Sequence, residues 1–112
     1  MTSPRKITNI YDADFSTYDL DGPIQENIHL LNLGYDREKG LGWYVLRMEP
    51  GSQTIQHEHK FWEEFLILEG ELIENDGTTL KTGDFVTYPP GTRHNSRTET
   101  GCLLIGIDHD TL

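Results

Sequence analysis

Two histidines one residue apart, His57 and His59, are followed four positions later by a carboxylate, Glu63, in a run bounded by Gly51 and Gly70. Imidazole and carboxylate are ligands of divalent metals. Side chains alternate on an extended strand, so His57 and His59 face the same way and form a pair of neighbouring ligands, with Glu63 reaching them from the next strand. A second run, residues 83–95, builds a turn from Pro89, Pro90 and Gly91 and then presents His94 as a fourth ligand. Three imidazoles and one carboxylate suit a single divalent ion of borderline or moderately hard character, so zinc, iron, nickel and manganese are all admissible. An octahedral ion would keep two positions open for a small-molecule ligand, or for substrate and O₂. Four ligands close a tetrahedral zinc site, whose role would be structural or sensory.

The spacing Gly51-x5-His57-x-His59-x3-Glu63-x6-Gly70 resembles the first motif of the cupin superfamily, and Gly83-x5-Pro89-x-Gly91-x2-His94 resembles the second. With EEFLILEGE, YPPGTRH and the closing GCLLIGI, the pattern over residues 28–108 is most similar to the ChrR-like cupins. These are the metal-binding module of some bacterial anti-sigma factors, and they have dioxygenase relatives. The resemblance implies a stand-alone metal-binding cupin with either of two roles. One is a sensory or regulatory module. The other is a non-haem Fe(II)-type dioxygenase that cleaves a carbon–carbon bond in a small diketone or hydroxyketone. Only about 27 residues precede the expected barrel, which is short for the sigma-binding domain of an anti-sigma factor, and they hold no Cys. The second cupin motif usually carries Asn four positions after its His; here that position is Thr98.

The elements that must position these groups read as strands. Residues 28–35 and 41–51 form a hairpin across the turn DREKG, and Trp43, Val45 and Arg47 share one face while Tyr44, Leu46 and Met48 share the other. EEFLILEGELIEN ends at Asn75-Asp76-Gly77, a hairpin signal because Asn and Gly tolerate positive φ. GCLLIGID is a continuous apolar run, as expected of a strand covered on both faces. About eight or nine short strands with no sustained helical period give an all-β, single-domain, antiparallel barrel or jelly roll. Residues 28–112 should form the barrel. Residues 1–27 read as an acidic arm in which KITNIY could form a strand, and Tyr11, Phe15 and Tyr18 could pin the arm to the body or to a partner. A loosely attached terminus fits equally well.

Composition narrows the partners. The chain has 112 residues with 9 Lys plus Arg against 19 Asp plus Glu, a net charge of -10 that opposes a phosphate backbone, so no nucleic-acid partner is expected. The N-terminus lacks an apolar segment and no run reaches membrane-helix length, so a soluble, cytoplasmic protein is expected. Cys102, the one cysteine, reads as a small core hydrophobe. Outward-facing apolar residues in FLIL and CLLIGI predict a homodimer. His29 and His109 stay outside the site, with His109 facing water. Phe61 and Trp62 could line a pocket mouth, pack in the core or meet a partner. Arg93 should point away from His94, and Arg47 and Tyr88 would matter only if turned inward. No catalytic residue is assigned.

Overall fold

Alternation of apolar and polar side chains becomes a set of antiparallel strands: β1 (Ser16–Tyr18), β2 (Gln25–Asn32), β3 (Gly42–Met48), β4 (His57–Glu58), β5 (Trp62–Glu74), β6 (Thr79–Lys81), β7 (Phe85–Tyr88), β8 (Arg93–His94), β9 (Ser96–Arg97) and β10 (Cys102–His109). A computed structural model of the chain describes residues 4–111; residues 1–3 of the expected arm and residue 112 of the expected barrel lie outside them. No helix among the described residues is long and apolar enough to cross a membrane. The main sheet runs β1-β2-β3-β10-β5-β6, with β7 and β9 also paired to β5, and β4 with β8 makes a separate two-stranded sheet. The sheet curls around one interior in the manner of a cupin half-barrel.

β5 organises the curl because it changes partners along its length. Its first half pairs with β10 on one edge and, through residues 63–66, with β7 on the other. Beyond Gly70 it pairs with β6 and β9. Gly70 has φ +81°, and a Cβ there would lie 2.0 Å from the Gly101 carbonyl oxygen, so only glycine permits this crossing. The turn at Gly77, φ +90°, then returns the chain as the Asn-Asp-Gly signal requires.

Both faces of β3 are occupied. Tyr44, Leu46 and Met48 join Ile28, Leu30, Phe65, Ile67 and Leu104 in the interior core. Val45 faces out, where it joins Leu31 and Leu103 in a second cluster covered by Ile10, Ala13 and Phe15. Arg47 lies over the Phe15 ring, 4.3 Å from its centroid, so its cation is spent on the outer face.

The segment read as an arm therefore contributes more than an arm. Residues 6–11 form no strand, contrary to the reading of KITNIY; their alternation is too short and polar to claim a sheet edge. Instead β1 pairs with β2, and Tyr18 is 6% exposed within the interior core. Tyr11 is 67% exposed.

Candidate metal centre

The two-stranded sheet carries the site. In its register His57 of β4 lies opposite His94 of β8, so two motifs distant in sequence meet across one pair of strands. His59 follows β4 and is fixed through its backbone, donating to Thr92 O at 2.9 Å and accepting from Gly91 N at 2.8 Å. Glu63, second residue of β5, points inward and is 8% exposed. The His59 Nε2 lies 3.0 Å from His57 Nε2 and 2.7 Å from His94 Nε2. Glu63 Oε1 lies 3.1 Å from His59 Nε2 and 3.2 Å from His94 Nε2. One donor atom from each of the four residues falls within 4.8 Å of all the others, so the structure brings all four predicted residues together.

The outward nitrogens set which atom each imidazole offers. His57 Nδ1 donates to Ile55 O at 2.7 Å, since a carbonyl can only accept, and this leaves the Nε2 lone pair facing the cluster. His94 Nδ1 donates to Glu74 Oε2 at 3.0 Å, and Ser96 Oγ donates to the same oxygen at 2.8 Å. Tyr44 donates its hydroxyl hydrogen to Glu63 Oε2 at 2.8 Å, leaving Oε1 toward the histidines. Carboxylate and carbonyl partners of this kind orient metal-ligating side chains and raise their basicity. The donor set and its orientation therefore fit a divalent metal ion.

Tyr44 reaches Glu63 because its cross-strand neighbour is Gly106. A Cβ on Gly106 would lie 2.8 Å from the Tyr44 Cζ and hydroxyl oxygen, so the phenol crosses β10 in space that only glycine leaves.

Burial and charge compete at each titratable group. Burial works to lower the basicity of His94, but hydrogen bonds to Glu63 and Glu74 prevail and hold its pKa at about 9. His59 shows the same contest and is also raised, through Glu63. For Glu63, burial opposes ionisation, yet His59 and His94 pull it well below the ordinary carboxylate range. Asp108 goes the other way: burial and then the nearby Glu63 charge push it up to about 7. Burial raises Tyr44 well above its ordinary value, with Glu63 adding to the shift.

A cavity of about 340 Å³ opens beside the cluster, lined by His57, His59, Glu63 and His94 together with Tyr35, Tyr44 and Asp108. Phe61 lines it, which places that aromatic at the pocket, while Trp62 begins β5. Arg93 is exposed, as expected from its place beside His94. Tyr88 does turn inward, its ring centroid 4.6 Å from that of His94.

The other histidines lie elsewhere. His29 pairs with Glu49 at 2.8 Å. His109 does not simply face water: its Nε2 lies 2.7 Å from Glu64 Oε1, and Thr87 donates to Glu64 Oε2 at 2.6 Å. The β10–β5 register sets His109 opposite Trp62, so its side chain can reach the outward Glu64. Thr98, 2% exposed, donates to Glu71 O at 2.7 Å and accepts from Gly101 N at 3.0 Å. It locks the loop before β10 and takes no part in the cluster. Cys102 is 5% exposed in the core, and burial pushes its thiol up to about 12.

Sequence reasoning missed Glu74, Tyr44 and Asp108. A signal existed: each is a polar-tipped residue in the inward register of an otherwise apolar strand, Glu74 with Leu72, Tyr44 with Leu46, and Asp108 with Leu104.

A curled antiparallel half-barrel with a three-His, one-Glu cluster at its mouth defines a cupin that could bind a metal. Its sequence matches the ChrR Cupin-like domain family over residues 18–109, and the chain belongs to that family. No curated protein matches it by sequence. Among solved structures it is similar to the anti-sigma ChrR from the Rhodobacter sphaeroides complex with SigE, at 16% identity and TM-score 0.71, covering 90% of this chain and 52% of that one. It thus spans about half the length of that relative. It is also similar to an acetylacetone dioxygenase from Acinetobacter johnsonii, at 14% identity and TM-score 0.76, covering 96% and 76% of the two chains. The polyketide cyclase RemF from Streptomyces resistomycificus matches at 18% identity and TM-score 0.74, covering 93% and 78%. At such identities these likenesses establish the fold alone.

Proposed function

We propose that the chain holds one divalent metal ion through His57, His59, Glu63 and His94 and uses it to bind a small molecule in the adjoining cavity. The observation that carries this reading is the convergence of all four donor atoms on the wall of a cavity of about 340 Å³, a volume suited to a small ligand. When bound, the ion would supply a Lewis acid that polarises an oxygen of the ligand. Glu74 and the Ile55 carbonyl hold the imidazole orientations, Tyr44 holds the carboxylate, and Phe61 gives the cavity an aromatic wall.

The test loads the protein with Co(II) and follows its visible absorption as acetylacetone is added. A saturable spectral change supports small-molecule binding at the ion. An unchanged spectrum overturns it.

The same cavity supports an enzymatic reading, a dioxygenase acting on a small diketone or hydroxyketone, because Tyr44 and Asp108 place proton-handling groups beside the ligand space. Oxygen consumption by the Fe(II)-loaded protein with acetylacetone separates the roles. Binding with uptake marks an enzyme, and binding without uptake supports a sensory or regulatory module.

A homodimer is supported by the outer face, where Leu31, Val45, Ile105, Leu66 and Phe85 lie in register across five strands. The N-terminal segment covers one end of this row, while Phe85 stays 61% exposed at the other and Trp43, 48% exposed, flanks it. Light scattering that returns a single-chain mass of 12.9 kDa would refute the dimer.

A further inference from the structure

Asp108 reaches the cavity from β10, directly across from Glu63 on β5. Its Oδ1 is buried and has no hydrogen-bond partner among the described residues. A buried acceptor left unpaired is costly, so a position that keeps one calls for a donor from elsewhere.

The neighbouring donors are already committed. Tyr44 also lies within hydrogen-bond reach of Asp108, but its one hydroxyl hydrogen goes to Glu63 Oε2, and Tyr18 gives its own to Asp21 Oδ2 at 2.5 Å. The cationic residues that line the cavity, Arg37, Lys39 and Lys60, are exposed, and Arg37 is paired with Asp19 at 2.7 Å. Deep in the cavity the charged groups besides the histidines are carboxyls: Asp21, Glu63 and Asp108.

From this arrangement we infer that Asp108 selects the ligand: it accepts a hydrogen bond from a hydroxyl of a small neutral carbonyl compound bound at the ion, and it turns away carboxylates of the same shape. The neutral ligand offers an oxygen to the metal and an O–H to the unpaired Oδ1. A carboxylate in the same place brings a further negative charge against Asp108 and Asp21 and supplies no donor for Oδ1 from its charged end. The inference rests on the small-molecule reading above.

Its test uses a matched pair. 3-Hydroxybutan-2-one and lactate share the hydroxyl-bearing skeleton and differ in a methyl group against a carboxylate oxygen. Both are titrated at pH 8, above the value of about 7 to which burial pushes Asp108, into Co(II)-loaded wild type, Asp108→Asn and Asp108→Ala, with metal content and melting temperature measured for each. Asparagine removes the charge and keeps an acceptor. It should therefore tighten lactate at least tenfold while 3-hydroxybutan-2-one stays within about threefold, so the ratio of the two dissociation constants shifts by at least about threefold. Alanine should weaken 3-hydroxybutan-2-one as well as admit lactate. Equal shifts for both ligands in either variant would assign Asp108 a merely structural role and overturn the selection. An unchanged ratio in Asp108→Asn would show that water alone satisfies Oδ1, and would overturn it too. If neither compound nor acetylacetone perturbs the wild-type spectrum, the small-molecule reading fails and takes this one with it. If acetylacetone alone does, only the selection by Asp108 fails.

Discussion

Metal affinity should rise about tenfold per pH unit between pH 7 and 9, well above the range where ordinary histidines titrate. The cause is His94, whose proton is held to about pH 9 by Glu63 and Glu74 in the metal-free protein and must leave before Nε2 can bind a metal. Its side chain is only 6% exposed, so solvent screens these partners little. Displacing that proton at pH 7 spans about two pH units, a penalty of about 100-fold or about 2.7 kcal/mol relative to the deprotonated site. Expectation from unperturbed imidazoles would have placed the loss of affinity below roughly pH 6. Competition against a chelator of known affinity, run across pH 6 to 9.5, reads the slope, and an indicator dye in weak buffer reads the released proton. Glu74→Gln removes one of the two carboxylates facing His94 while its amide oxygen still accepts from Nδ1. The variant should bind metal roughly tenfold more weakly at pH 9, with a smaller deficit at pH 7 because less proton must be displaced. A wild-type affinity that is flat from pH 7 to 9 would refute the reasoning.

Three further outcomes follow from the same geometry. In the metal-free protein, His94 stabilises the fold fully below its ordinary pKa of 6.5 and loses that contribution as pH rises through about 9. Glu63, depressed from its ordinary 4.5, stabilises above that value and fails as pH falls further, while Asp108, raised to about 7, loses its contribution between pH 3.8 and 7, so the melting temperature should peak near pH 4.5 and decline above it. Bound metal should abolish the alkaline decline. Glu63→Gln should weaken metal binding at least roughly tenfold, about 1.4 kcal/mol, while Glu64→Gln, whose native carboxylate meets His109 and Thr87 on the outer face, should leave it nearly unchanged; the reverse order in chelator titrations would mean a register shift along β5. Gly106→Ala should lower stability by about 1–3 kcal/mol in denaturant melts and weaken metal binding, because the new methyl displaces the Tyr44 phenol from Glu63. A fully stable variant would show that Tyr44 is not held by that close approach.

The four cluster residues were legible in sequence because their positions follow from strand parity and from turns that glycine and proline announce. The strands that carry them were legible for the same reason: β3, β5 and β10 each show a readable face. What was not legible depends on pairing between distant strands. Nothing in the order of residues says that Glu74 stands behind His94, that Gly106 makes room for Tyr44, or that His109 meets Glu64; the first needs the pairing of β5 with β9, the second that of β10 with β3, and the third that of β10 with β5. β1 was missed because three residues carry too little alternation to register as a strand, and its place is fixed by pairing with β2. The outer cluster under Ile10, Ala13 and Phe15 likewise depends on how a segment without regular structure lies across the sheet.

Metal content decides whether the four converging side chains form a metal centre. Metal-stripped protein exchanged into a divalent salt, desalted and analysed by atomic emission should carry about one ion per chain, and His57→Ala/His94→Ala should carry essentially none while keeping the β-sheet signature in circular dichroism. Full stoichiometry in that double variant, or no retained ion in the wild type at pH 8, would contradict the assignment of His57, His59, Glu63 and His94 as ligands.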